Sequence, residues 1–478
     1  MAAGETAETR YQQCRDTLEQ RGQGHVLRWW TELDSSQRSH LLDQIEAIPW
    51  EVVDPLIQSH VLRRPMPDIP TDLQPAPVYP CEPGAGHKEL YEEARALGRE
   101  LIAAGKVAAF TVAGGQGTRL GYDGPKGMVA VTPVGDRTLF CIFAETIKAV
   151  RDRHQVSVPW YIMTSAANHI QTLEYLRAES FFGLPEGEVS LFPQAMLPAL
   201  DFDGRLVLTA KHDIALAPDG HGGSLKALAA GGALANMRVR GIEIISYFQV
   251  DNPLVKPFDP LFIGLHAKTG SEMSTKVAAK TDDLERVGNV CVGGGATRVI
   301  EYSDLPDSIA HARNPAGGRK FNAGNLAIHL LDVSFIERIT DGAFALPYRR
   351  AEKVVPTIDD AGARQTPGEP NAVKLETFVF DALPMATKTF VLEVERGEEF
   401  SPVKNPTGVD SIESAKRDQN RRACRWLEEA GVNVPRASDG EPDVLITIAP
   451  SFAIDAEEVL PKTRKVPRLM PRDQVLLT

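Results

Sequence analysis

At 478 residues the chain is too long for one typical hydrophobic core, and two or three domains are expected. Its 43% hydrophobic content and mean hydropathy of −0.19 describe an ordinary soluble protein. A net charge of −12 argues against a nucleic-acid partner, so any phosphate ligand needs basic residues gathered locally. Cys14, Cys81, Cys141, Cys291 and Cys424 are scattered and form no C-x-x-C pair, which indicates neither a disulfide framework nor a zinc site. The opening MAAGETAETRYQQ has no apolar stretch of the secretory kind, and no run approaches about 18 apolar residues. A cytoplasmic protein with no membrane partner is the expectation.

In chain order, residues 8–48 read as helices, with Leu18, Val26, Leu27, Trp30, Leu33, Leu41, Leu42 and Ile45 at helical spacing. Ser35 and Ser36 before Gln37 are a plausible helix start. Trp29 and Trp30 read as packing residues. Residues 64–84 are dense in proline and read as an extended surface connector. A helix over 87–104 follows, with Leu90, Ala94, Leu97 and Leu101 on one face. From Val107 the pattern alternates: strand 107–112, helix 138–153, strand 159–165, helix 166–180. The near-continuous apolar run 241–250 ends at Asp251-Asn252 and fits a central strand buried on both faces. Such alternation implies βαβ units and a mostly parallel sheet. The tail after 433 carries one further strand, 443–448. No hexapeptide series indicates an appended β-helix.

In open α/β sheets, ligands sit at the carboxyl ends of strands. The first strand runs into Val112-Ala-Gly-Gly-Gln-Gly-Thr-Arg-Leu-Gly-Tyr-Asp-Gly-Pro-Lys-Gly127 at such an end. Gly114, Gly115 and Gly117 lack a Cβ, so a phosphate can approach the backbone N–H groups. Arg119 and Lys126 add positive charge. The loop is not G-x-x-x-x-G-K-[ST], because Lys126 is followed by Gly127. Nor is it G-x-G-x-x-G, because Gly115, Gly117 and Gly121 are spaced one residue too far.

Other candidates are weaker when read alone. Asp251 ends its strand and can hold Mg²⁺ together with substrate phosphates and water; it also reads as a turn or cap aspartate. Asp201-Phe-Asp203 is a rival D-x-D, but Asp203-Gly204 before an apolar strand reads as a hairpin turn. Gln194 alone reads as a surface glutamine, Asn322 and Asn325 as turn residues, and a lone lysine as solvated.

Ala113-Gly-Gly-Gln-Gly-Thr-Arg-Leu-Gly121 followed by Pro125-Lys-Gly127 resembles the signature of the UDP-sugar pyrophosphorylases, most closely that of the eukaryotic UDP-N-acetylhexosamine pyrophosphorylases. Further segments from about 85 to 432 carry the resemblance: Phe192-Pro-Gln194 with Met196-Leu-Pro198, Pro218-Asp-Gly-His-Gly-Gly223, Val250-Asp-Asn252, Glu301-Tyr-Ser303, Phe321-Asn-Ala-Gly-Asn325, Pro370–Asp381 and Phe400-Ser-Pro-Val-Lys-Asn405. The resemblance implies that Gln194 reads the uracil edge and that Gly114, Gly115, Gly222 and Gly223 approach the nucleotide. It implies that Asp251 holds Mg²⁺, that Arg119, Lys126 and Lys404 act on the phosphates, and that Lys374 binds phosphate. Glu301, Asn322 and Asn325 are implied to hold the sugar, with His221 nearby. Lys353 aligns with a family lysine. Two positions depart from the pattern: His221 stands where asparagine is usual and Arg349 where histidine is usual.

The implied fold is α/β, a Rossmann-like nucleotidyltransferase (GT-A-like) domain with a mixed, mainly parallel sheet. The expected boundaries are a helical N-terminal segment with its connector (1–105), a catalytic domain (106–390) and a small C-terminal domain (391–478). The implied reaction makes a UDP-sugar and pyrophosphate from UTP and a sugar 1-phosphate, with N-acetylglucosamine 1-phosphate preferred to glucose 1-phosphate. A glycosyltransferase using a finished UDP-sugar and a non-catalytic sugar-nucleotide sensor are the rival readings. The oligomeric state is left open by the sequence.

Overall fold

The computed structural model describes residues 7–66, 68–342 and 346–478. Three helices come first: α1 (Ala7–Gln20), α2 (Ser35–Glu46) and α3 (Trp50–Leu56). Helix α4 (Lys88–Ala103) leads into β1 (Val107–Val112), α5 (Leu139–His154), β2 (Trp160–Thr164), α6 (His169–Ala178) and β3 (Val189–Pro193). The short strands β4 (Met196–Pro198) and β5 (Leu216–Pro218) precede β6 (Ile244–Gln249) and α7 (Pro260–Thr269). Then come β7 (Met273–Ala279), β8 (Asn289–Gly293), β9 (Ala296–Ile300), β10 (Ala323–Asp332), β11 (Tyr348–Lys353), β12 (Ala372–Thr377) and β13 (Thr389–Glu393). Helix α8 (Ile412–Glu429) and the strands β14 (Leu445–Ile448) and β15 (Gln474–Leu477) follow.

The chain forms two compact units, neither continuous in sequence: Met1–Asp68 with Gln194–Gly223 and Ala345–Val379, and Ile69–Pro193 with Ser224–Phe344 and Phe380–Thr478. The larger unit is built on a ten-stranded mixed sheet. Its parallel stretch runs β6–β1–β2–β3. Strand β10 joins β6 antiparallel and continues the sheet toward β7, β8 and β9. In both β1 and β6 every residue but the last is buried, as a strand covered on both faces requires. Helix α5 packs Leu139, Phe140, Phe143, Ile147 and Val150 into the same core as Trp160 and Phe248. The parallel pair β14–β15 and α8 enclose a separate apolar cluster around Trp426, Ile446 and Phe452.

Helices α4 and α7 approach through glycine. A Cβ on Gly98 would overlap the carbonyl of Pro260, and one on Gly264 the carbonyl of Ala94. Only backbone fits at these two points.

In the smaller unit, α1–α3 bury Leu18, Leu41, Leu42, Ile45 and Val53 against Leu200, Leu206, Ile214, Val373 and Leu375. Trp29 belongs to this core, as a packing residue should. Strand β4 pairs with β5, and β11 pairs antiparallel with β12. Asp201-Phe-Asp-Gly204 is a hairpin turn: Leu200 bridges Leu206, Asp201 Oδ1 accepts the N–H of Asp203 and Arg205, and Gly204 has φ +79°.

Helix α2 starts at Ser35 as expected, capped by Asp34, which forms a reciprocal capping box with Gln37. The start of α6 moves for a local reason. Helix α6 starts at His169, because Ser165–Asn168 is spent on a turn in which Asn168 Oδ1 accepts the Ser165 N–H.

Gly98→Ala should destabilise the protein by about 1–3 kcal/mol, the usual cost of overpacking. The check is the midpoint of denaturant unfolding. An unchanged midpoint would show that α4 and α7 can part without cost.

Candidate active site

Strands β1 and β6 pair in parallel with Val112 opposite Gln249, and Val250 N–H donates to the Val112 carbonyl at 3.0 Å. The chain therefore leaves both strands side by side, on one edge of the sheet. From β1 comes the glycine loop and from β6 comes Asp251. The loop folds back on itself: Gly117 N–H donates to Gly124 O at 2.8 Å and Lys126 N–H to Gly115 O at 3.1 Å. That fold-back brings Lys126 Nζ to 3.5 Å from Asp251 Oδ2, with both side chains mostly shielded.

The loop glycines do different work. Gly115 is exposed, and a Cβ there would meet only Lys126 Cε at 3.9 Å, so its backbone is open to a ligand beside the lysine. A Cβ on Gly127 would fall inside the ring of Phe140, so that glycine serves the core. Gly121 has φ +74° and closes the short helical turn carrying Arg119, which is exposed.

Asn168 holds the loop from below. It is fully buried, and its Nδ2 donates to Ala113 O at 2.9 Å and to Gly115 O at 3.2 Å. Its Oδ1 accepts from the N–H and the hydroxyl of Ser165. The sequence reading missed this residue. It lies more than 50 positions downstream, in a segment read only as helix.

Asn252 performs a similar task next to Asp251. Its Nδ2 donates to Glu399 O at 2.6 Å and its Oδ1 accepts from Ser401 N–H at 3.1 Å. Val403 N–H donates to the Asp251 carbonyl at 2.8 Å. These bonds fix the 399–404 segment, and with it Lys404, against the end of β6. Lys404 Nζ sits 5.8 Å from the centroid of the Phe400 ring. Behind them Lys276, fully buried on β7, donates to Asp259 at 2.7 Å and to Glu399 at 2.6 Å. Burial opposes charge on Asp259 and on Lys276, but their attraction outweighs it: the carboxyl is held below its usual range and the ammonium above. Beside Lys404, burial pushes the Asp410 carboxyl up, against the pull of that lysine.

Glu301, Asn322 and Asn325 form a group around β8–β10. Asn325 is at the start of β10, the end that extends past the carboxyl end of β6. Its N–H donates to Gly288 O at 2.8 Å, and a Cβ on Gly288 would lie 3.0 Å from Glu301 Oε1 and 3.8 Å from Asn325 Cβ. Gly288 thus lies against both side chains, and Val299 Cγ1, at 2.5 Å from the same point, leaves no room for a Cβ. Asn325 Oδ1 already accepts from Thr275 Oγ1 at 3.3 Å and Ala327 N–H at 3.1 Å, and Asn322 Oδ1 from Lys280 N–H at 3.2 Å. Both amides brace the backbone of this region.

The remaining candidates lie in the smaller unit. Gln194 is buried, and its Nε2 donates to Asp219 Oδ1 at 3.3 Å and Gly220 O at 3.4 Å. Asp219, also buried, was not singled out from the sequence. The glycines of this turn are required by the protein itself. A Cβ on Gly222 would overlap Thr377 and Phe378, and one on Gly223 would overlap the Asp219 carboxylate. On the β11–β12 ladder Arg349 pairs with Glu376 and Ala351 with Lys374, which puts Arg349, Lys353 and Lys374 on one face. The opposite face carries the buried Val373 and Leu375. His221 stacks on Phe378, and Val379 N–H donates to its Nδ1.

A family model described as UTP–glucose-1-phosphate uridylyltransferase matches residues 84–428. The chain belongs to that family. It is a nucleotidyltransferase enzyme, a UTP:sugar-1-phosphate uridylyltransferase. It is 35% identical to human UDP-N-acetylhexosamine pyrophosphorylase-like protein 1 over 97% of both chains. It is 33% identical to the UDP-N-acetylglucosamine pyrophosphorylase of Saccharomyces cerevisiae, over 92% of this chain and 94% of that one. In fold it is similar to the uridine diphosphate N-acetylglucosamine pyrophosphorylase of Trypanosoma brucei, solved with an inhibitor, at a TM-score of 0.82 and 24% identity over 100% and 99% of the two chains. Among the described residues no helix is long and apolar enough to cross a membrane.

Asn168→Ala should lower turnover about tenfold or more while costing about 1–3 kcal/mol of stability, since two loop carbonyls lose their buried donor. Steady-state kinetics beside an unfolding curve would separate the two effects. Full turnover in a destabilised variant would show that the loop keeps its shape without Asn168.

Proposed function

We propose that the chain joins UTP to N-acetylglucosamine 1-phosphate, with glucose 1-phosphate as the poorer substrate, and releases pyrophosphate. The observation that carries this reading is the meeting of Lys126 and Asp251 beside an open glycine backbone at the carboxyl edge of a parallel sheet. The names of the relatives that cover nearly the whole chain support the choice of sugar.

The sugar phosphate is already anionic near neutral pH, so it attacks the α-phosphorus of UTP without a general base. Catalysis is then alignment and neutralisation of charge. The N–H groups of the glycine loop hold the triphosphate. Lys126 and Arg119 offset the charge that grows on the departing pyrophosphate, and Lys404 acts on the phosphates from the 399–404 segment. Gln194 reads the uracil edge and Lys374 binds phosphate, the roles their segments carry in the family resemblance.

Asp251 is the residue that would hold Mg²⁺. Among the described residues no three His, Cys, Asp or Glu side chains cluster as a metal cage. One nearly buried carboxylate beside a phosphate-binding loop fits Mg²⁺, which takes one or two carboxylates and completes its shell with substrate oxygens and water. The ion supplies charge neutralisation on the phosphates when bound. With its substrates small, soluble and anionic, we place the protein in the cytoplasm.

The reading is tested by pyrophosphate release from UTP with a panel of sugar 1-phosphates. Lys126→Ala should lower turnover by about 10²–10³ with little change in stability, as loss of a charge-stabilising group does. A variant with native turnover would remove Lys126 from the reaction. Asp251→Asn should lose Mg²⁺-dependent activity and keep its fold by circular dichroism. Retained metal-dependent activity would place the ion elsewhere. Preference for glucose 1-phosphate would overturn the choice of sugar and leave the reaction class standing.

A further inference from the structure

Lys404 is held through the backbone from both sides. On one side Val403 N–H donates to the carbonyl of Asp251 at 2.8 Å, at the end of β6. On the other, Lys404 N–H donates to the Asp410 carbonyl at 2.6 Å, and the next N–H, that of Asn405, donates to the same oxygen at 2.8 Å. Between these points the chain doubles back on itself. Asn405 Nδ2 donates to Val409 O and Ser411 Oγ to Gly408 O, each at 2.8 Å, and these bonds close the turn. Gly408 and Asp410 both lie in the left-handed region, at φ +78° and +56°. Glycine enters that region freely. For other residues it is costly, and aspartate is one of the few that visit it.

The far end of the turn is fixed by α8. Ser411 caps this helix in a reciprocal box with Ser414. The helix is tied in turn to the body of the larger unit. Asp418 Oδ2 accepts from Ser401 Oγ at 2.8 Å, Gln419 Nε2 donates to Val131 O at 2.6 Å, and Arg422 Nη1 donates to Leu254 O and Glu398 O at 3.0 Å each. The side chain of Asp410 takes no part in this. Its carboxyl is half-buried and makes no hydrogen bond among the described residues, and the charges that face it oppose one another, Lys404 and Arg396 against Asp251 and Glu285. The residue at 410 therefore holds the turn by its main chain.

We propose that Asp410 is a positioning residue for Lys404: its left-handed backbone turns one carbonyl onto the N–H groups of Lys404 and Asn405, and so fixes where the Lys404 side chain leaves the chain. This rests on the reading that Lys404 acts on the phosphates. Lys404 is then set between two fixed points, the end of the strand that carries Asp251 and the N-terminus of a helix of 18 residues. Neither point depends on the mobility of the exposed turn between them, so the ammonium keeps its origin while the turn meets solvent.

The test compares kcat and KM in the wild type, Lys404→Ala, Asp410→Gly, Asp410→Ala, Asp410→Val and the double variant of Lys404→Ala with Asp410→Val. Asp410→Val should lower kcat at least about tenfold, the scale of a strained left-handed residue, with KM for UTP changed less than about threefold. Asp410→Gly should keep kcat within about threefold of the wild type, because glycine adopts the conformation without strain. Asp410→Ala should fall between the two. Once Lys404→Ala has removed the ammonium, adding Asp410→Val should lower kcat by less than about threefold more, since both changes remove one interaction. A glycine variant as slow as the valine variant would assign the effect to the carboxylate and overturn the proposal. So would effects at 404 and 410 that multiply. Hydrogen exchange over residues 400–411, read by mass spectrometry, gives an answer independent of turnover and of how the valine variant folds. The Lys404 and Asn405 amides should exchange at least about tenfold more slowly than in an unstructured chain, in the wild type and in Asp410→Gly alike. Unprotected amides in the wild type would overturn the proposal. Native kcat in Lys404→Ala would overturn the reading of Lys404 and the proposal with it. An impaired Lys404→Ala beside a native Asp410→Val would overturn the proposal alone.

Discussion

The parallel pairing of β1 with β6 is the constraint from which the site in the larger unit follows. With Val112 fixed opposite Gln249, two segments of opposite charge leave the sheet as neighbours, a cation-bearing loop and a carboxylate. The protein is acidic overall, at −12, so a polyanionic substrate would be repelled on average. A lysine held 3.5 Å from Asp251 keeps a cation beside the open glycine backbone and neutralises the nearby acid. Gly115 leaves the backbone open at that point, while Gly127 closes the core immediately behind it.

A geometry of this kind has to be held rigid, and the larger unit does so with buried polar groups. Asn168 braces the loop, Asn252 braces the 399–403 segment, and the ion pairs of Lys276 with Asp259 and Glu399 lie beneath both the start of α7 and that segment. An apolar replacement of equal volume could be as stable as such a buried triad, because desolvation offsets much of the attraction. What the charged network adds is direction. Each donor has one acceptor geometry, so strand β7, helix α7 and the segment leading to Lys404 are kept in one register.

Legibility in the sequence divides along the range of the interactions. The glycine loop, the strand that feeds it and the buried β6 run could be read because local spacing and hydrophobicity specify them. The Asp201–Gly204 hairpin could be read because Asp-Gly before an apolar strand is a turn for local reasons. Asn168, Asp219 and the buried partners of Lys276 could not be read this way, since their roles exist only once distant segments meet. The same holds for the glycines at 222 and 223. Their pattern suggests an approach to a ligand, and the structure shows in addition that Thr377, Phe378 and Asp219 occupy the space a side chain would need. The start of α6 shifted for a related reason, since Asn168 is used by the loop and cannot also belong to a regular first turn.

His221 marks the limit of carrying a role from one sequence to another by position. The position transfers as a polar group on the 218–223 turn. The polarity does not, because it is decided by what occupies the other ring nitrogen. In this chain that partner is the N–H of Val379, delivered by the strand end that also carries Phe378 and stands across from Arg349. The chemistry at position 221 is therefore a property of three segments together, the 218–223 turn, the end of β12 and the start of β11.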